Sequence, residues 1–359
     1  MLNRISKHMI DQDFVKKVDD TSEELAQIQT NISTVNIREY ESFKVGDDWT
    51  PAWDQMTADT PEGYKIVFTT DVYYGNFITS KSFIIDFQDS IIVPYNDNFP
   101  SVQFIGSEDV TKLVTGNPQY GQNSFIVDDV TGLSENDVGY LVDEQVRPSD
   151  STPEINTELV KIKSVDSGTN TVTVYDMIRS NQVVGSVKFV KINTVKNPQV
   201  HNLSVSVSDT NSQPSVFYKY CENTVSKNIG VKNHVGHAVR HQFCYGAYTE
   251  NIRPTHPRLN GSGQGYGITY NKCRNGFSLY TYGVKNRHTV DMGTSYSCHI
   301  ENITEEEGIG VPVMLSHNGF GGNNSVNYLN CSTDNYAVNW NSQEIADEDI
   351  DKFVARDIS

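Results

Sequence analysis

The chain has 359 residues and a formal net charge of −17, from 28 basic and 45 acidic side chains. That balance excludes the basic surface a nucleic acid would need. No run of apolar residues is long enough to cross a bilayer as a helix, so neither nucleic acid nor membrane insertion is expected.

Residues 1–10 carry charges where a secretory leader would be apolar, which fits synthesis in the cytoplasm and, for a protein acting outside, release by another route than secretion. The five cysteines cannot all pair with one another, and none stands in a C-x-x-C pair or beside histidines at zinc spacing. A reduced interior set is expected, with no metal and no cofactor.

Residues 9–36 read as a helix. Phe14, Val18, Thr21, Leu25, Ile28, Ile32 and Val35 follow the alternating four-three spacing of a coiled-coil seam, with charged and amide residues between them. The segment suits either a short parallel bundle, a trimer above all, or an amphipathic helix packed on its own domain. Residues 37–103 then read as a cap. Thr50 and Pro51 have the character of a helix cap and first helical residue, and β-rich runs follow at 64–68, 75–78 and 83–87.

Residues 104–195 carry alternating strands at hairpin spacing, the mark of a small antiparallel β insert, with 143–157 as an exposed polar loop. From Lys196 to residue 341 the texture is repetitive. Val239, Ile268, Val290, Val313 and Val338 recur at steps of 29, 22, 23 and 25 residues. Cys221, Cys244, Cys273, Cys298 and Cys331 run in phase, each closing a short polar-aromatic segment. A drifting period of this size with Gly and Asn corners describes stacked coils. The expected class is therefore all-β: a right-handed parallel β-helix whose interior holds one column of aliphatic side chains and one of thiols. Residues 316–324 read as a Gly-rich loop on one side of the stack, and 342–359 as an acidic linker or tail.

Three segments resemble the tail-spike and appendage proteins of bacteriophages, within the pectate-lyase-like β-helix superfamily. These are Asp47-Asp48-Trp49-Thr50-Pro51-Ala52 ahead of the β-runs, the insert between cap and solenoid, and the pair Arg287-His288-Thr289-Val290-Asp291 and Ser316-His317-Asn318-Gly319. The pair is similar to an Arg-His-x-(Val/Ile)-(Asp/Thr) and (Ser/Thr)-His-Gly combination in appendage proteins of podoviruses that infect Gram-positive hosts. Here Asn318 separates the histidine from the glycine. The resemblance covers roughly residues 40–340. It implies a homotrimer on a virion, mounted on other tail or collar proteins through the N-terminal helix. It also implies binding, and in many members cleavage, of a host-surface glycopolymer such as capsule or wall teichoic acid.

Cleaving such a polymer needs a proton donor and a base or nucleophile. Residues flanking the valine column stack from coil to coil, which puts Arg240, Thr269 and Asp291 in one column and His237, Tyr266 and His288 in another. Asp291 is the first candidate acid or base, against a role in hydrogen-bonding a coil corner. His317 is the candidate proton-transfer partner, followed by His288. Glu301 is a candidate for a carboxylate pair with Asp291, against a solvated position ahead of the acidic run 305–307. Arg287, Arg240, His237 and Tyr266 are the candidate substrate contacts. A receptor-binding or structural appendage without catalysis is the alternative.

Overall fold

The computed structural model describes residues 32–115, 118–147, 154–179, 187–207, 212–259, 261, 263–322, 324–333 and 338–340. The chain winds into a parallel β-solenoid of about 8 turns. Two sheets line it: a long face of eleven strands and a short face of eight. All their strand pairs are parallel, from Thr34–Asn36 beside Lys65–Val67 at one end to Val313–Gly322 beside Val338–Trp340 at the other. The proposed coiled-coil helix falls largely outside the described residues. Its last turn is corrected: Thr34–Asn36 is a strand, and Val35 lies opposite Ile66 in the first rung.

The valine column is real. Val102, Val216, Val239, Ile268, Val290, Val313 and Val338 pair in series along the short face. Those from Val102 to Val313 are fully buried. Two residues further along each strand runs an interior stack of rings, Phe104, Tyr218, His241 and Tyr270, with centroids 5.6, 4.9 and 5.2 Å apart and planes within 9° of parallel. Burial holds the His241 imidazole down to about 3, so it stacks as a neutral ring, held by a hydrogen bond between its Nδ1 and the Thr224 hydroxyl.

The thiol column is corrected at its last member. Cys221, Cys244, Cys273 and Cys298 are free and buried at one corner of the solenoid, and burial pushes the thiols of Cys244 and Cys273 up. Cys331 instead pairs with Glu305 at the far end of the long face. Asn324 takes the fifth corner, where its Oδ1 accepts the Cys298 N–H at 2.9 Å and its Nδ2 donates to the Ser295 carbonyl at 3.0 Å. The residues from Ser316 onward also differ from the loop expected there. They extend the strand Val313–Gly322, which follows Gly293, Ser295 and Tyr296 with two register shifts.

The cap is a 3-10 helix, Ile37–Phe43, and an α-helix, Thr50–Asp59, closing the first coil over Trp49, Trp53, Phe68, Tyr73, Phe77 and Phe87. Thr50 is not the cap. Its N–H donates to the Asp48 carboxylate at 2.8 Å, and its hydroxyl accepts the Asn76 N–H at 3.0 Å.

The insert occupies residues 107–193 as a six-stranded antiparallel sheet. Its polar excursion is shorter than expected, because the strands Val138–Arg147 and Glu154–Asp166 run into it and bury Asp143, Asn156 and Thr157. A second apolar cluster joins insert to solenoid: Tyr140, Leu159 and Ile192 meet Tyr220 and Phe243. At its edge Arg274, 1% exposed, donates to Glu158 at 2.8 Å and to the carbonyls of Leu159 and Met177 at 3.1 and 2.6 Å. Removing one partner of a buried ion pair leaves the other charge uncompensated. Arg274→Ala is therefore expected to destabilise the protein by roughly 3 kcal/mol, read as a lower urea midpoint; an unchanged midpoint would mean that the insert's other contacts hold it without this pair.

Candidate functional site

Outward residues of the short face assemble the cluster that the strand pattern led us to expect. Arg240, Thr269 and Asp291 pair in sequence across three coils, and His237, Tyr266 and His288 pair beside them. The second trio stacks, with centroid separations of 4.9 and 5.1 Å. His237 Nδ1 hydrogen-bonds the Thr269 hydroxyl at 2.7 Å, which ties the two columns together. Arg287 lies with its guanidinium 5.5 Å from the Tyr266 ring centroid and donates to the Tyr266 hydroxyl at 3.0 Å. His288 Nδ1 is 2.6 Å from the carbonyl of Val311, so that nitrogen carries the proton.

The electrostatics are those of a closely packed polar cluster. Burial, reinforced by the Arg240 charge, holds His237 down to about 3, against a smaller opposing pull from Asp291. Burial lowers the Arg240 guanidinium as well, and Asp291 offsets part of that loss. The Tyr266 phenol is raised by burial and then by Asp291. A neutral imidazole, a guanidinium and a carboxylate so arranged can hold an anion or a hydroxyl and move a proton. Tyr266, His288 and Asp291 are, however, only 4%, 5% and 6% exposed, which leaves Arg240, Arg287 and His237 as the half-buried rim.

Two expected members stand apart from this description. Glu301 lies on the long face between Leu279 and Asn327, where it pairs with His299 at 3.5 Å; it makes no carboxylate pair with Asp291. His317 belongs to the strand Val313–Gly322 with its backbone opposite Gly293, one coil along from the cluster, and its side chain lies outside the described residues. Among the described residues no group of three His, Cys, Asp or Glu side chains is gathered to hold a metal ion, and no helix is long and apolar enough to cross a membrane.

The long face carries a second feature that the sequence reading missed. From Gln199–Ser206 onward each long strand of this face bends at a residue of positive φ: Asn202, Asn228, Asn251, Tyr280, Asn302 and Tyr328. Asparagine tolerates that conformation, and here its amides form a ladder, Asn251 to Asn228 and Asn228 to Asn202, each at 2.8 Å. Tyr280 and Tyr328 adopt the same bend at φ 55°, where a bulky residue costs about 1–2 kcal/mol. Both are well exposed, and they border a furrow of about 690 Å³ that also takes in Arg253, Tyr282, Asn302 and Asn330. An Asn column at coil spacing, interrupted twice by Tyr, was the available signal.

Behind the cluster, inside the solenoid, Glu305 is 1% exposed. It accepts from the Asn286 N–H at 2.9 Å, from the Asn286 amide at 3.1 Å and from the Thr289 hydroxyl. Burial nevertheless dominates and raises its carboxyl from 4.5 to about 7.

No protein-family model and no curated protein matches the sequence. Solved structures do match. The Gp54 tailspike of Acinetobacter baumannii bacteriophage AP22, solved in complex with A. baumannii capsular saccharide, aligns with a TM-score of 0.64 and 16% identity, over 92% of this chain and 55% of its own. Tailspike gp61 of Pseudomonas phage phi297 gives 0.65 and 14%, over 84% of this chain and 57% of that one. Tailspike gp49 of Pseudomonas phage LKA1 gives 0.57 and 14%, over 79% and 57%. The chain has the fold of a phage tailspike. It spans a little over half the length of these tailspikes, and the fold is what they share with it.

For Glu305 the sign of the pH effect is fixed by the raised value. The folded state keeps the proton that the unfolded state releases, so stability is greatest below about 4.5 and falls as pH rises through about 7. The loss is of order 3 kcal/mol. Glu305→Gln should remove it, which makes the difference in thermal midpoint between the two proteins grow from pH 4.5 to pH 8; parallel curves would show that the carboxyl is ionised throughout.

Proposed function

We propose that this tailspike-fold chain binds and cleaves a glycopolymer of the bacterial surface, either wall teichoic acid or capsular polysaccharide, during adsorption of a phage. The observation that carries the reading is the outward cluster of the short face, in which consecutive coils bring Asp291, Arg240, Thr269, His237, Tyr266 and His288 together. Binding of capsular saccharide by the Gp54 tailspike, a protein of the same fold, supports the glycan as ligand class. In this reading the protein is a homotrimer on the virion, attached through the segment that precedes the first rung, residues 1–33, to other tail or collar proteins.

In the proposed chemistry water attacks the anomeric carbon or the phosphorus of the polymer backbone, and the bond to the leaving oxygen breaks as that oxygen takes up a proton. Asp291 acts as the acid or base of that exchange, and His317 is its proton-transfer partner. Arg240 and Arg287 hold an anionic group of the polymer, while Tyr266 offers a ring edge to a sugar. His237 stays neutral and fixes the Thr269 hydroxyl. Glu301 takes no part in this exchange.

A second reading, a receptor-binding spike without catalysis, is favoured by the burial of Tyr266, His288 and Asp291, which leaves a polymer access to the rim of the cluster. Incubating the protein with purified wall teichoic acid and with capsular polysaccharide, and weighing the products by mass spectrometry, separates the two. Cleavage predicts shortened chains and a drop of roughly a hundred-fold or more for Asp291→Asn, with retention of the polymer unchanged. Retention of polymer with no product in any fraction would establish the adhesin.

A further inference from the structure

We infer that the furrow on the long face is a separate glycan-binding site, which holds roughly two or three sugar rings of a polymer running along the solenoid axis. The inference rests on the reading of the protein as a glycan-binding tailspike, but it uses no residue of the short-face cluster.

The backbone makes the first part of the case. Four of the six positive-φ bends in this column hold asparagine, and two of its amide bonds link neighbouring coils. Tyr280 sits where the next amide rung would be, so the ladder ends at Asn251. Tyrosine is a poor choice for a left-handed residue, and neither ring repays that choice inside the fold. Tyr280 is 57% exposed and Tyr328 44% exposed. Conformational strain spent on an outward aromatic ring points to something the ring meets from solvent.

The arrangement of the rings names that ligand. Tyr280 and Tyr328 stand two coils apart with Asn302 between them, a separation of about 10 Å along the axis. Aromatic faces at that interval stack on the C–H faces of pyranose rings, and the planar donors between them suit sugar hydroxyls. Asn302 and Arg253 supply those donors. Charge narrows the class further. Among the described residues Arg253 is the one charged side chain lining the furrow, in a chain of net charge −17. Of the nearby carboxylates, Glu250 is engaged by Lys227 and Tyr248, Glu301 by His299, and Glu306 accepts the Tyr282 hydroxyl at the rim. A neutral or anionic polysaccharide fits this surface and a polycation does not.

The test replaces both tyrosines with the residue that the other coils use, as Tyr280→Asn/Tyr328→Asn in the full chain. Asparagine suits the bend, so the variant should fold with an equal or higher thermal midpoint and an unchanged oligomeric mass. Its retention on immobilised capsular polysaccharides and wall teichoic acids should fall roughly ten-fold or more against the parent chain. Undiminished retention overturns the site, and if the parent still shortens the polymer, cleavage stands without it. Lost retention in the variant, with no shortening by the parent, keeps the furrow and removes cleavage. A variant that changes its oligomeric mass or loses stability overturns the site in favour of a subunit contact or a packing role. If the parent retains no polymer, both readings fall.

Discussion

The fold depends on one repeated event, the parallel pairing of a strand with its counterpart a coil away. Once Val216 is opposite Val102 and Val239 opposite Val216, every residue on those strands inherits a neighbour of like position. Like side chains then stack at the strand spacing of about 4.8 Å, which suits flat rings and branched aliphatics equally. The interior ring stack from Phe104 to Tyr270, the valine column and the outer His237–Tyr266–His288 stack are three results of that one constraint. No coil buries its apolar residues alone, so stability is shared between neighbours.

This regularity explains what could be read from sequence. The valine column was legible because it is an unbroken series of small aliphatics, and the flanking cluster became legible with it. Cys331 misled because a short polar-aromatic segment before a cysteine is a local pattern, whereas a corner is defined by pairing. The register shifts along Val313–Gly322 add residues to that coil, so the corner passes to Asn324. Glycine density made the same segment look like a loop, although a neighbouring strand was available to pair with it. Glu301 misled for a related reason: counting along the chain gives its coil but not its face.

The furrow escaped because its signal lies in backbone conformation. Positive φ is invisible in a residue list unless glycine or asparagine announces it, and Tyr280 and Tyr328 announce the opposite. The two faces also differ in how they treat polar groups. On the short face, burial keeps His237 neutral and brings Asp291 and Arg240 into each other's field. On the long face the tyrosines stand in solvent and the carboxylates nearby are already engaged. A compact polar cluster and an open strip of exposed tyrosines thus sit on separate walls of one scaffold.

The way the insert leaves the solenoid has a consequence for how such a chain can diversify. The winding breaks off after Ile105 and resumes at Val195, and the two ends of the inserted segment lie side by side, with Ser107 paired to Asn193. The coil before the break and the coil after it pair as though nothing lay between them, Val102 opposite Val216. The spiral therefore continues past this module, which enters and leaves at one point. Exchanging it for another module whose termini meet would leave the winding intact, provided the newcomer covers Tyr220 and Phe243 and offers Arg274 an acidic partner, or those residues are replaced with it.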